Sequence, residues 1–135
     1  IAAATERGLV VPSVKDAGGM PLLELSDAIR ALAETARAGK ATPADLSGGT
    51  FSITNYGVFG VDAGTPILVP GEAGILGLGA VQRRPWEHEG GVALRDVMTL
   101  SLSFDHRLVD GAEAARFLTD VGDVLRDPAR AMVFA

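Results

Sequence analysis

A histidine and a carboxylate lie four residues apart in the segment DHRLVDG, which runs from Asp105 to Gly111. The chain contains two histidines and no cysteine, so a general base that works near neutral pH has few candidates. His106 is the one in an ordered setting, because the residues on either side of it follow regular periods. The segment therefore predicts a site for proton transfer, with His106 and Asp110 as its first candidates.

The residues that flank this segment predict a strand before His106 and a helix after it. Val97 to Phe104 alternates between apolar and mostly small hydroxyl side chains, which is the period of a half-buried strand. Beyond Asp110, apolar side chains recur three and four residues apart, as an amphipathic helix requires, at Ala114, Phe117, Leu118, Val121 and Leu125. His106 is thus expected at the end of a strand.

Structural roles for the same residues stay open. Asp110 is followed three residues later by Glu113, a capping-box pattern, so Asp110 caps the helix, takes part in chemistry, or does both. A histidine in a turn is often purely structural, and that alternative stands for His106. Arg107 is expected to hold a nearby carboxylate such as Asp105 through its planar guanidinium, because a permanently protonated arginine is a poor proton-transfer catalyst.

The remaining periodicities predict a two-layer α/β domain. Short strands are expected at Gly8 to Val14, at Phe51 to Thr54 and at Ile75 to Val81, and Arg83 to Val92 is typical of a hairpin connection. A further helix is predicted from near Pro21 to Gly39, with an inner face formed by Leu22, Leu25, Ile29, Leu32 and Ala36. Strands outnumber helices, so the helices are expected over one face of a mixed sheet, in a single domain.

Composition and charge argue against several function classes. The net charge of −5 disfavours nucleic acid as the main partner, and the lack of cysteine removes disulfides, a thiol nucleophile and thiolate metal sites. No apolar run is long enough for a membrane span and no stretch is typical of a targeting signal, so we expect a soluble protein. Glu87, His88 and Glu89 are adjacent in a polar loop and cannot easily enclose a metal, so no metal site is expected.

Four segments, in the same order along the chain, resemble one protein family. They read ATERGLVVPSVKDA from Ala4 to Ala17, GGTFSITNYGVFG from Gly48 to Gly60, GTPILVPGEAGILGLGAV from Gly64 to Val81, and SFDHRLVDGA around His106. The family is that of the dihydrolipoamide acyltransferase (E2) components of 2-oxo acid dehydrogenase complexes, whose catalytic domain has the fold of chloramphenicol acetyltransferase. That domain has further residues before the position of Ile1, so residues 1–135 are expected to be its C-terminal part, N-terminally incomplete.

The resemblance implies transfer of an acyl group between the thiols of dihydrolipoamide and coenzyme A. His106 would be the base that takes the thiol proton, since a thiol with a pKa of about 8.5 is only partly ionised at neutral pH. Thr54 matches the Ser/Thr position that donates a hydrogen bond to the oxyanion, although without the family it is an ordinary strand residue. Asp110 matches a position that is Asp or Asn in relatives and that orients groups at the site.

The same resemblance implies the partners. Relatives form homotrimers that build a larger core, and the histidine of one subunit faces the Ser/Thr of the next. Coenzyme A and its acyl form would be substrates, the lipoyl group would be carried on a separate domain, and the E1 and E3 components of the complex would be partners. No residue is assigned to coenzyme A contact. The expected compartment is the bacterial cytoplasm, or the mitochondrial matrix in a eukaryote.

Two other functions stay open, and so does the acyl group. A non-catalytic scaffold for the core of the complex is disfavoured because His106, Thr54 and Asp110 are all retained. A coenzyme A-dependent O-acetyltransferase related to chloramphenicol acetyltransferase is disfavoured because DHR stands in place of a paired-histidine motif. The segment FSITNYGVFG is close to family members that handle succinyl or branched-chain groups, which are therefore favoured over acetyl.

Overall fold

The computed structural model describes residues 1–6 and 8–134. In that part of the chain the elements are β1 (Ala3–Thr5), β2 (Gly8–Val10), α1 (Leu22–Arg37), β3 (Phe51–Asn55), β4 (Gly74–Leu78), β5 (Gln82–His88), β6 (Gly91–Val97), β7 (Leu100–Phe104) and α2 (Gly111–Arg126). Short 3-10 turns lie at Ala17–Gly19, Gly57–Phe59 and Pro128–Phe134. The predicted α/β class, in which strands outnumber helices, is confirmed.

A three-stranded mixed sheet lies at the centre, with the strand order β3-β4-β7. The first two strands run parallel and the third runs antiparallel to its neighbour, so that Thr54 pairs with Gly77 and Gly77 pairs with Ser101. The mixed sheet is confirmed, but it is smaller than expected. The strands β1 and β2, and likewise β5 and β6, pair with each other as separate antiparallel hairpins.

The two faces of the central sheet have different coverings, because its strands alternate in side-chain chemistry. The apolar face packs against α2, where the rings of Phe51 and Phe117 meet edge to face with centroids 5.6 Å apart. The hydroxyl-bearing face is covered by the irregular connection between β3 and β4, since the Ser103 hydroxyl donates to the carbonyl of Pro66 at 2.5 Å. The helix α2 therefore lies over one face, as predicted.

The helix α1 closely follows the predicted range, but its predicted inner face is only partly covered. Ala36 is buried, whereas Leu22, which was expected inside, is 57% exposed. The reason is length: α1 has 16 residues and spans about 24 Å, whereas the three-residue strand β1 that it packs on spans about 10 Å. One short strand cannot cover the full helix face.

The segment Arg83 to Val92 is not a connection, and that prediction was wrong. It contains most of β5 and the start of β6, and the tight turn lies at Glu89 and Gly90, whose φ angles are 53° and 80°. Two consecutive positive φ values fit the turn that joins a two-residue hairpin. Pro85 is tolerated in β5 because a two-stranded sheet has only edge strands.

Three predicted strand bounds are also corrected. The strand β2 ends at Val10 and not at Val14. The strand β4 ends at Leu78 and not at Val81, because Gly79 donates its N–H to the carbonyl of Thr99 and the next residue, Ala80, donates to Val61. A side chain on Gly79 would collide with the carbonyl oxygen of Asp62, at 2.0 Å. The chain therefore leaves the sheet there, and β7 correspondingly begins at Leu100 and not at Val97.

Candidate active site

His106 lies in the turn that follows β7, as the sequence predicts. The strand ends at Phe104, whose ring contacts the imidazole at a centroid separation of 5.4 Å. His106 is exposed, and within the described part of the chain neither of its ring nitrogens is held by a hydrogen bond. The imidazole is thus supported from one side and open to accept a proton from a bound group.

The residues on either side of His106 are tied together. The Arg107 guanidinium donates to both carboxylate oxygens of Asp105, with Nε at 2.9 Å from Oδ1 and a terminal nitrogen at 2.6 Å from Oδ2, and the Arg107 backbone N–H adds a third bond at 3.0 Å. This is the pairing predicted for Arg107. The guanidinium and backbone N–H of Arg107 lower the pKa of Asp105 to about 2. The carboxylate is therefore ionised near neutral pH.

The turn is also held by backbone hydrogen bonds that converge on Asp105. Its carbonyl accepts from the N–H of Leu108 at 2.9 Å and of Val109 at 3.1 Å, and its own N–H donates to the carbonyl of Ala73 at 3.0 Å. Ala73 directly precedes β4. The chain on both sides of His106 is therefore fixed to the central sheet through one residue.

Asp110 is the N-cap of α2 and forms a complete capping box with Glu113. Its carboxylate accepts from the Glu113 N–H at 2.8 Å, and the Glu113 carboxylate accepts from the Asp110 N–H at 3.0 Å. The capping role that the spacing allowed is therefore present. Asp110 is exposed, and the carboxylate stands on the same short segment as His106.

Thr54 lies near the end of β3, half-buried, on the hydroxyl-bearing face of the sheet. Its strand neighbour on that face, Ser52, is buried and donates to the carboxylate of Glu72 at 2.6 Å. On the neighbouring strand Thr54 pairs with Gly77, which has no side chain. The strand next to Thr54 therefore leaves space on that face for a side chain from elsewhere in the chain.

Tyr56 fills that room, and the sequence reasoning missed it. A Cβ on Gly77 would meet the Tyr56 ring at 2.7 Å. The phenol oxygen accepts from the Gly64 N–H at 3.0 Å and lies 3.1 Å from the hydroxyl of Ser101. The signal was present as an aromatic residue in the turn Asn-Tyr-Gly together with a glycine in a predicted buried strand.

The structure does not bring His106 and Thr54 together within one chain. Thr54 is in register with Ser101, at the opposite end of β7 from the turn. The register places it about 10 Å along the sheet from Phe104, and two strand spacings, or about 10 Å, across it. A single chain therefore presents the candidate base and the candidate oxyanion donor as two half-sites.

Two concave regions accompany these residues. An apolar pocket of about 390 Å³ lies beside the turn and is lined by Phe51, Leu102, Phe104, Leu108, Val109 and Phe117, among others. A larger groove of about 980 Å³ lies between the hairpin β5–β6 and the C-terminal half of α2, away from His106. Among the described residues no group of three or more His, Asp or Glu side chains is arranged to hold a metal, and none of the described helices is long and apolar enough to cross a membrane.

Residues 1–133 match the family described as 2-oxoacid dehydrogenases acyltransferase (catalytic domain). The chain is 46% identical, over 98% of its length, to the dihydrolipoyllysine-residue succinyltransferase component of the 2-oxoglutarate dehydrogenase complex of Haemophilus influenzae. It spans 32% of that relative. The chain therefore corresponds to about a third of the curated relatives that it matches.

Solved structures give the same result for the fold. The chain superposes with a TM-score of 0.88, at 36% identity and over 97% of its length, on the cubic core of a pyruvate dehydrogenase multienzyme complex, covering 54% of that chain. The TM-score is also 0.88, at 35% identity, with Azotobacter vinelandii dihydrolipoamide acetyltransferase, again over 97% of this chain and 54% of the other. In that enzyme a serine, a histidine and an asparagine were investigated for their catalytic role. The two intervals between them along the chain equal those from Thr54 to His106 and from His106 to Asp110.

Proposed function

Because this chain belongs to the family of 2-oxoacid dehydrogenase acyltransferases, through their catalytic domain, we propose that it transfers an acyl group between the thiols of dihydrolipoamide and coenzyme A. Residues 1–135 are the C-terminal part of that domain in a longer parent protein. The observation that carries the proposal is the set of Thr54, His106 and Asp110, with the intervals of the catalytic residues investigated in a solved relative.

His106 is the general base. Its imidazole is exposed and free to accept the proton of a bound thiol, and the resulting thiolate attacks the carbonyl carbon of the thioester. The proton then passes from the imidazolium to the departing thiolate, so that a new thioester and a free thiol result. General-base catalysis of this kind supplies about 10² to 10⁴-fold in rate.

Thr54 stabilises the negative oxygen of the tetrahedral intermediate by donating its hydroxyl hydrogen bond, a contribution of about 10² to 10³-fold. The hydroxyl comes from a neighbouring copy of the chain, because the sheet register separates Thr54 from His106 in the same copy. This mechanism requires at least two copies, and we propose a homotrimer that builds a larger core. Relatives and structural neighbours are parts of multienzyme complexes.

The favoured acyl group is succinyl, with a branched-chain acyl group as the alternative. Relatives at 46% and 48% identity are succinyltransferase components of 2-oxoglutarate dehydrogenase complexes. The same proposal gives the chain a lipoyl-bearing domain elsewhere in the parent protein, the E1 and E3 components as partners, and the bacterial cytoplasm as its location. Asp110 orients groups at the site in addition to capping α2.

The test is acyl transfer to dihydrolipoamide from succinyl-, isobutyryl- and acetyl-coenzyme A, with the assembled parent protein. His106→Ala is expected to abolish transfer without changing the assembly, and Thr54→Ala to slow it by about 10² to 10³-fold. His88→Ala is the matched control, because His88 is the other histidine and lies in the hairpin β5–β6.

Each outcome of that assay has a defined meaning. Transfer that depends on His106 and tolerates His88→Ala supports the reaction, and the ranking of the three donors identifies the acyl group. Unchanged turnover in His106→Ala would rule out the mechanism. No transfer by the assembled wild type would point to a scaffold or to an enzyme with a different acceptor.

A further inference from the structure

Asp105 and Arg107, the residues directly before and after His106, form an ion pair with each other. Arg107 places two guanidinium donors and one backbone donor on the Asp105 carboxylate. A bidentate pairing fixes relative orientation more strictly than a single contact between charges. Because the anchors are the residues directly before and after His106, the pairing limits rotation of the backbone that bears the imidazole.

Asp105 is bonded to the residue that precedes β4 as well as to Arg107. The N–H of Asp105 donates to Ala73, and its carbonyl accepts from Leu108 and Val109, so that with the four from Arg107 one residue carries seven hydrogen bonds that define the turn. The ring of Phe104 then supports the imidazole at 5.4 Å. The backbone on either side of His106 is thus held by groups of the protein itself, and the imidazole rests against one ring.

Because Arg107 is exposed, we do not expect its ion pair with Asp105 to contribute much to folding stability. Its side chain is 89% exposed, and ion pairs between exposed groups contribute little to the free energy of unfolding. The Asp105 carboxylate is 15% exposed and is ionised down to a pH of about 2. The pair is therefore a persistent local restraint in a place where global stability gains little from it.

We propose that Asp105 and Arg107 are positioning residues, which hold the turn so that the His106 imidazole meets the substrate thiol in a productive geometry. This inference rests on the proposed function and assigns a share of the rate to a pair that acts through the position of His106. A displacement of about 1 Å at a reacting group lowers rates by up to about 10²-fold, so loosening of the turn is expected to lower kcat.

The experiment uses the assembled parent protein with Arg107→Lys, Asp105→Asn and the double variant. Lysine keeps the positive charge but lacks the planar fork, and asparagine keeps an acceptor but lacks the negative charge. Arg30→Lys is the matched control, because Arg30 forms an exposed pair with Asp27 on α1, away from the turn. For each variant kcat, both KM values and hydrogen exchange of peptides covering 104–110 and 82–97 are measured.

Arg107→Lys is expected to lower kcat about tenfold, with the KM values for coenzyme A and dihydrolipoamide within about twofold of wild type. The double variant is expected to be no worse than the worse single variant, because the two residues act as one restraint. Exchange is expected to accelerate in the 104–110 peptide alone, and the Arg30→Lys control to match wild type throughout.

Three results would overturn the inference in different ways. Unchanged exchange at 104–110 would show that the pair does not restrain the turn. A raised KM for coenzyme A with an unchanged kcat would make Arg107 a substrate-binding residue. No transfer by the wild type would remove the proposed function and the catalytic part of this inference together, while the exchange data still decide whether the restraint exists.

Discussion

Two carboxylates bracket the exposed imidazole of His106, and each is engaged in a different way. Asp105, directly before it, is fully paired with Arg107 and tied to the sheet. Asp110, four residues after it, caps α2 through Glu113. His106, the candidate base, therefore lies between two carboxylates that are engaged in holding the backbone.

The two roles of Asp110 are separable by substitution. Asn accepts a cap hydrogen bond about as well as Asp, so Asp110→Asn is expected to keep stability and to reduce acyl transfer mildly. Asp110→Ala loses the cap and is expected to destabilise the protein by about 1 kcal/mol, together with a larger loss of transfer. Glu113→Ala is the control, since it breaks the other half of the box and leaves the Asp110 carboxylate in place. Stability is measured by denaturation and acyl transfer by steady-state kinetics. If Glu113→Ala loses as much transfer as Asp110→Ala, capping is the only role of Asp110.

The Asp105 pairing predicts a window of acid sensitivity. The pKa of this carboxyl is lowered from 3.8 to about 2, so the folded state binds its proton less readily than the unfolded state. The stabilisation, which is small because Arg107 is exposed, is fully present above a pH of about 4 and is lost as the pH falls towards about 2. The difference in Tm between wild type and Asp105→Asn is therefore expected to be constant above that window and to shrink within it. A difference that does not change with pH would contradict the assignment.

At the scale of elements, the connection between β3 and β4 is held in place by one side chain. Tyr56 leaves the end of β3, lies over the bare position of Gly77, and binds the chain again at Gly64. The same phenol reaches Ser101 on β7. The ring therefore joins the connection to two of the three strands, next to the position of Thr54.

Gly77→Ala is expected to destabilise the protein by about 1 to 3 kcal/mol, because the new methyl group would lie 2.7 Å from the Tyr56 ring, whose hydrogen bonds oppose a shift. Gly18→Ala is the matched control, since a Cβ there meets nothing within 4 Å. In a Tyr56→Ala background the effect of Gly77→Ala is expected to fall sharply. Chemical denaturation of the four variants measures the coupling, and additive effects would show that the ring does not occupy that gap.

The whole molecule has little interior of its own. Among the described residues the buried apolar side chains are Ala3, Pro12, Ala36, Ile75, Leu76 and Ala114. Large apolar side chains that are more than two-thirds exposed include Leu9, Leu23, Val58, Phe59, Ile67, Val92 and Met132. An apolar surface of this extent is typical of a chain that packs against further polypeptide. This agrees with a chain that spans about half of the solved structures it matches.

Mixing two inactive variants tests the shared site at this scale. If His106 of one copy acts with Thr54 of another, assemblies formed from equal amounts of His106→Ala and Thr54→Ala contain intact sites at about one quarter of the interfaces by random mixing. Activity is therefore expected to return to about a quarter of the wild-type value after co-refolding or co-expression. Each variant alone, treated in the same way, is the control. Mixed assemblies that gain no activity would contradict a site built from two copies.

The sequence determined the elements whose signals are local. The alternation up to Phe104, the apolar period after Asp110 and the Asp110–Glu113 spacing predicted a strand, a helix and a cap, because strand period, helix period and capping each depend on a few neighbouring residues. The Asp105–Arg107 pairing was predicted for the same reason. The hairpin β5–β6 was missed because Pro85 and two glycines suggest a loop, whereas an isolated two-stranded sheet tolerates them.

Only the tertiary structure decided what depends on distant contacts. The end of β4 is set by the approach of the Asp62 carbonyl to Gly79, and the place of Tyr56 is set by Gly77 on the neighbouring strand. The separation of Thr54 from His106 follows from the strand register, which depends on both strands of each pair and cannot be derived from one strand alone. The sequence by itself therefore identified the candidate chemical groups and their local supports. Which of those groups meet was left to the register of the sheet, because pairing between strands joins residues far apart along the chain.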